Sequence, residues 1–277
     1  MKIGTKLVAF IFALQLIAFV AIGVIVSDAS SNSLFTSYQS SMTTSAVQYA
    51  TILDDKINAY QADLGARAQN IADKMLAGTA AKSVLQDNLD QERYANLTYV
   101  SLKGEETSVT DVVVPYGELD VYKAAQQGTA GLSAPIAIND DPEQLYFLGA
   151  APVLQNGQVQ GVLLAAIPYA GLYQYIADID LGQTGYAFVN DNTGATIIHP
   201  VTEKVVTHEN ANDQVAANPA LQPLVDVLKK QSKGETGFDQ YVYNGTAKFM
   251  SYAPSPALVG QSRFPCRRMS CSNPSIN

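Results

Sequence analysis

The 277-residue chain has no tryptophan, only two histidines, and only two cysteines, both within its last seventeen residues. Residues 28–260 therefore hold no disulfide, and no paired-Cys metal site, HExxH helix or Gly-rich phosphate loop is present anywhere. His199 and His208 stand nine apart with Glu203 and Glu209 nearby, but a structural role suits His199, at the end of an Ile-His-Pro run, better than a metal-ligand role. Positive charge is also scarce. All 25 acidic residues but only 12 of the 17 basic ones fall between Asp28 and Gly260, which disfavours nucleic acid as a partner. No serine is singled out as a nucleophile, so no enzyme activity, no cofactor and no metal are expected.

Leu7 to Val26 is an unbroken apolar run in which Gln15 is the one strongly polar residue. About twenty such residues suffice to cross the hydrocarbon core. Lys2 and Lys6 precede the run, and the next basic residue is Lys56. The positive-inside rule then puts residues 1–6 in the cytoplasm, 7–27 across the cell membrane as a single span, and the rest outside. A cleaved signal peptide ending near Ser27-Asp28-Ala29 is the alternative, although secretory apolar regions are usually shorter, about 7–15 residues.

Residues 28–78 lack proline and read as one long helix. Tyr49, Leu53, Ile57, Tyr60, Leu64, Ala68, Ile71 and Met75 recur at steps of three and four, which forms one stripe, and Gly78 supplies a C-cap. The Ser/Thr-rich stretch Ser30 to Ser45 is a candidate for pairing with a second copy, which would make a homodimer through the long helix. Beyond it, Tyr94 to Leu102 is a strand candidate. Gln144 to Val153 and Val159 to Ile167 form a hairpin around Asn156-Gly157. A short helix, Leu172 to Ile179, leads into a second unit with a helix near Leu221 to Lys230 and a hairpin, Thr236 to Tyr243 against Thr246 to Tyr252. The expected fold is α+β: two antiparallel-sheet modules, residues 79–175 and 176–260, served by one stalk helix. Asn96-Leu97-Thr98 and Asn244-Gly245-Thr246 fit the glycosylation sequon but are also ordinary strand and turn triplets.

The segment Leu181 to Pro200, LGQTGYAFVNDNTGATIIHP, carries the most information. Tyr186 to Val189 and Ala195 to Ile198 are β-prone runs about a turn, Asn190 to Gly194. The pattern G-x-T-G-Y-A-F-V-x-D-x-x-G-x-x-I-x-H-P resembles the first hairpin of the membrane-proximal module in double Cache sensor domains, the extracytoplasmic part of methyl-accepting chemotaxis proteins and related sensor kinases. The resemblance extends over about Asp28 to Val259, by layout more than by motif in the distal half. It implies two PAS-like sheets along the long helix, a small molecule bound in the distal one, and signalling by displacement with no bond made or broken. The function implied is ligand sensing by a chemotaxis receptor. A membrane-anchored small-molecule-binding or adaptor protein acting through a partner is the alternative, as is the sensor part of a histidine kinase or cyclase.

The same resemblance places the ligand pocket under the segment Pro115 to Pro135, with Tyr116, Asp120, Tyr122, Lys123 and Tyr146 as its candidate lining; Tyr122 as a core aromatic and Lys123 as a solvated charge is the plainer view. The amino-acid-binding branch carries R-x-W-Y here, and this chain has Leu119-Asp120-Val121-Tyr122, so the tyrosine alone is kept. The branch's acidic positions fall near Ile138 and Ala166. With no cation for a carboxylate and no anion for an ammonium, α-amino acids are expected to be poor ligands.

After Gly260 the chemistry changes: QSRFPCRRMSCSNPSIN holds both cysteines and three of the five arginines. Where the family continues with a Trp-containing strand, a second membrane helix and the HAMP and methyl-accepting regions, none is present in this sequence. A frameshift near Gly260 or a fragmentary gene product is the expectation, and a genuine basic tail with its own partner is the alternative. If the lost strand is the central one, the proximal sheet is expected to be incomplete and marginal.

Overall fold

The computed structural model describes residues 3–112, 114–138, 141–179, 181, 185–191, 193–243, 245–255 and 268–274; for 3–29 and 268–274 the description is of the backbone alone. One helix, α1 (Ile3–Leu76), runs 74 residues. The distal module then adds α2 (Ala81–Asn88), β1 (Asn96–Ser101), β2 (Glu106–Ser108), α3 (Asp120–Gln126), β3 (Gly131–Ala137), β4 (Leu145–Gln155) and β5 (Gln158–Pro168). Helix α4 (Ala170–Ala177) leads to the proximal module: β6 (Tyr186–Asn190), β7 (Thr196–Ile198), α5 (Glu203–Val206), α6 (Ala211–Gln214), a 3₁₀ turn at Pro219–Leu221, α7 (Gln222–Ser232), β8 (Gly237–Tyr243), β9 (Thr246–Pro254) and β10 (Arg268–Pro274).

The two sheets repeat one plan. Their strand orders are β2-β1-β5-β4-β3 and β7-β6-β10-β9-β8, all antiparallel, with the last strand of each module in the middle. The turn between β4 and β5 explains that hairpin's register: Asn156 and Gly157 both have positive φ, 52° and 77°, the backbone a two-residue hairpin turn needs.

The α1 stripe is where the sequence places it. Leu53, Ile57, Tyr60, Leu64, Ala68 and Ile71 are buried, Tyr49 and Met75 pack against the same cluster, and Met42, Ala46 and Ala50 extend it toward the proximal sheet. Along β5 the period of two divides the side chains. Leu163, Ala165 and Ile167 join the cluster under α1, whereas Val162, Leu164 and Ala166 join a second cluster with Val121, Tyr122 and Ala125 of α3. Phe188, Tyr241, Met250 and Tyr252 build the matching outer cluster of the proximal sheet with Val227 and Leu228 of α7. Helix α1 lies close on β4 because Gly149 has no side chain; a Cβ there would meet the Leu64 Cδ2 at 2.9 Å. A left-handed Gly78, φ +87°, ends the helix, with its N–H donating to the Met75 carbonyl at 3.0 Å.

Of three further expectations, two rest on what lies outside the described residues and one meets the structure differently. The apolar run Leu7 to Val26 belongs to the backbone of α1, but its side chains lie outside the described residues, and among the described residues no helix is long and apolar enough to cross a membrane. The middle of the proximal sheet, expected to be vacant, is occupied by the backbone of Arg268–Pro274, which pairs with Asn190 to Tyr186 on one side and Pro254 to Lys248 on the other. Strand pairing is a main-chain matter: the orphan N–H and C=O groups of β6 and β9 can be met by any segment able to lie extended between them. The presumed frame change at Gly260 lies outside the described residues.

Candidate functional site

The distal cavity follows from how β1, β4 and β5 leave the outer face of their sheet uncovered at one end. Asn96, Thr98, Leu148, Leu164 and Ala166 floor it, and Val112, Val114 and Tyr116 of the crossing loop wall it, around about 240 Å³ of empty volume that counts open solvent. The loop is pinned by one buried side chain. The Asn96 Nδ2 donates to the Val112 carbonyl at 2.7 Å, and its Oδ1 accepts from the Val109 and Thr110 N–H groups at 3.2 and 3.0 Å. Asn96 is 2% exposed, so the side chain of its sequon is buried in this fold. Thr98 and Ser108 share a hydroxyl hydrogen bond of 2.6 Å across β1 and β2.

Of the five candidate residues, Tyr116 lines this cavity, while Tyr122 and Tyr146 belong to the hydrophobic cluster beside it. Tyr116 and Tyr122 meet edge to face, with centroids 4.7 Å apart, and Tyr146 packs against the same cluster. The Tyr116 hydroxyl donates to the Glu106 carboxylate. Burial, and then this hydrogen bond, push the Tyr116 phenol well above its usual range, so it remains a proton donor at any ordinary pH. The other two candidates turn outward: Asp120 is exposed at the first turn of α3, and the Lys123 Nζ pairs with the Glu118 Oε2 at 3.1 Å in solvent. Sequence reasoning missed Asn96, Thr98 and Glu106. Glu106 sits on a three-residue edge strand too short for any periodic signal, and Asn96 and Thr98 read simply as strand residues.

A second cavity, about 510 Å³ of empty volume counting open solvent, lies over the proximal sheet beneath α7. His199 lines it. Its backbone is fixed by Tyr169 and its Nδ1 accepts from the Val201 N–H at 2.9 Å. Among the described residues, no group of three or more His, Cys, Asp or Glu is arranged to hold a metal ion.

Two like-ordered sheets on a shared helix, each with a pocket on the face away from it, define a tandem PAS-like sensing domain. The chain belongs to the Cache domain family, whose two-module form matches residues 29–264. A stretch of 118 residues, 42% of this chain, is 25% identical to the methyl-accepting chemotaxis protein PctB of Pseudomonas aeruginosa, and the match spans only 16% of that protein's length. The PctB ligand-binding domain in complex with L-Gln superposes with a TM-score of 0.62 at 19% identity, covering 85% of this chain and 89% of that one. The ligand-binding domain of the Pseudomonas fluorescens chemoreceptor CtaA with L-serine gives 0.59 at 16%, over 83% and 94%. The extracellular domain of a protein named as a histidine kinase gives 0.59 at 17%, over 86% and 97%.

These structures overturn the expectation that α-amino acids are poor ligands, since chemoreceptor domains of this fold hold L-Gln and L-serine. That expectation sought an anion only near Ile138 and Ala166. An anion lies close by on another strand: exposed Glu106 of β2 accepts the hydroxyl of Tyr116, which lines the cavity.

Proposed function

We propose that this chain is the membrane-anchored, extracytoplasmic ligand-sensing part of a chemotaxis receptor, and that the distal cavity takes a small amino acid. The Leu7 to Val26 run with its flanking Lys2 and Lys6 supports the anchor and its orientation. Glu106, beside the cavity and accepting the Tyr116 hydroxyl, offers its carboxylate to the ligand's ammonium group, and the Tyr116 ring, backed by Tyr122 and Tyr146, forms an aromatic wall. Asp120 and Lys123 act at the rim, where they tune approach more than affinity.

One observation carries the proposal: α1 touches both modules through specific contacts. Leu64 seats on Gly149 in the distal sheet, while in the proximal one the Ser251 Oγ donates to the Met42 carbonyl at 2.9 Å and Ser255 hydrogen-bonds Asp54. A ligand that prefers one arrangement of the distal sheet thereby biases the position of a helix that continues toward the membrane. The same fold in a histidine kinase's extracellular domain favours that output as the second choice.

A chimera tests it: the chain through its proximal module is joined to the output region of a chemoreceptor, and swimming reversals are scored against an amino-acid panel. A dose-dependent response to an amino acid that binds the isolated chain is expected. Binding without any response points instead to an adaptor that works through a partner.

A further inference from the structure

In the proximal module, Asn190 is 4% exposed, and its Oδ1 has no hydrogen-bond partner among the described residues. A buried acceptor left unpaired is costly, and few such groups persist without a reason. Its place in the fold shows where the missing donor belongs. Tyr186, Phe188 and Asn190 alternate with Ala187 and Val189 along β6; the latter pair packs under α1, and the former three line the 510 Å³ cavity.

The rest of the wall narrows the chemistry. His199, 6% exposed, uses its Nδ1 as an acceptor for the Val201 N–H, so in the neutral ring the proton sits on Nε2, making that atom a donor. Burial, and next the positive charge of Lys204, hold His199 down to about 4, so the ring is neutral at ordinary pH. The Lys204 Nζ and Glu209 Oε1 at the cavity edge pair at 2.6 Å and neutralise each other, which leaves no unmatched charge among the described lining residues. Tyr186, Phe188 and Tyr241 give aromatic surface, and the Tyr186 and His199 rings meet edge to face with centroids 5.0 Å apart.

An unpaired acceptor, a neutral donor and aromatic walls, with no net charge among the described lining residues, suit one class of molecule. We infer that the proximal module is a second ligand site, for an uncharged planar heterocycle that presents an N–H beside a carbonyl or ring nitrogen, as nucleobases do. The N–H donates to the Asn190 Oδ1 and the ligand's acceptor takes the His199 Nε2–H. This site is separate from the distal one and does not depend on an amino acid binding there. Occupied, it would tighten β6 against α7 and so act on the module nearer the membrane.

The test is calorimetric titration of the full chain with uracil, cytosine, adenine and hypoxanthine, alone and in the presence of saturating amino acid. At least one base is expected to bind, unaffected by the amino acid, and Asn190→Leu is expected to weaken it at least tenfold. Because Leu also removes the unpaired acceptor, that variant should fold at least as stably; Asn190→Ser, which shortens the acceptor but keeps it polar, serves if it does not, with the same loss expected. No binding by any of the four bases, binding by both variants as tight as by the wild type, or displacement of the base by the amino acid would each overturn the inference.

Discussion

The Tyr169 hydroxyl exchanges two hydrogen bonds with the backbone of His199: it donates to the carbonyl at 2.9 Å and accepts from the N–H at 2.7 Å. Tyr169 follows the last distal strand, and His199 ends the first proximal hairpin, so this one side chain ties the two modules together. Its ring also stacks on Phe147 of β4, 6.0 Å between centroids at 7°.

Tyr169→Phe should therefore destabilise the chain beyond what the lost hydroxyl suggests. Both His199 backbone groups would be left unpaired in a buried place, at about 1–3 kcal/mol each. Thermal denaturation of the variant should show a lower midpoint, and the two modules should separate into distinct transitions more readily than in the wild type. An unchanged midpoint would mean that the link carries no weight.

Stability should fall on acidification between about pH 6.5 and 4 because of His199. Its folded pKa of about 4 lies below its ordinary 6.5, so within that window the unfolded chain takes up a proton that the folded chain refuses. Stability thus rises with pH across it, by roughly 3 kcal/mol at most. Denaturant titrations at pH 4.5 and 7 should show this slope in the wild type and its near absence in His199→Gln. Asp63 and Asp239, whose carboxyls are held below their usual range, act at lower pH and leave the window to the histidine.

Asp63 on α1 is the hub at the distal end of the helix. It receives the Arg67 Nε at 2.7 Å, the Tyr94 hydroxyl at 2.5 Å and the Arg93 Nη1 at 3.5 Å. Burial works against its ionised form, but the hydrogen bonds from Arg67 and Tyr94 outweigh it. Asp63→Asn should cost on the order of 1–3 kcal/mol, since the charge-assisted bonds go and two arginines lose their shared partner. Hydrogen exchange should report faster opening of α2 and the turn before β1 in this variant, with the proximal sheet little changed.

Two glycines that look alike in the sequence should behave differently. A Cβ at Gly161 meets the Val100 carbonyl oxygen at 2.5 Å and the Tyr99 ring at 2.6 Å, whereas at Gly149 the first contact is the flexible end of Leu64 at 2.9 Å. Gly161→Ala must move the β1 backbone and should cost about 1–3 kcal/mol; Gly149→Ala should cost less, as a rotamer change in Leu64 relieves it. Comparing the denaturation midpoints of the two variants checks the order.

What the sequence made legible was whatever repeats. The α1 stripe shows in the three- and four-residue steps from Leu53 to Ile71, and the β4–β5 hairpin in Asn156-Gly157, because both depend on local periodicity or turn chemistry. Strand β3 was hidden inside the segment thought to cover the pocket, since Pro135 speaks against a strand; β3 is an edge, where a missing N–H is tolerated. Glu106, Asn96 and the proximal trio of Tyr186, Phe188 and Asn190 were not legible as site residues. Their roles arise from where strands distant in the chain are laid side by side, and no local pattern encodes that. The central place of Arg268–Pro274 was hidden for the same reason.

Calorimetric titration of L-amino acids into the chain, wild type and Glu106→Gln, bears most directly on ligand sensing by the distal cavity. At least one amino acid should bind the wild type, and loss of the carboxylate should weaken it tenfold or more with the fold intact by circular dichroism. Absence of heat for the whole panel, or equal binding by the variant, would contradict amino-acid recognition through Glu106.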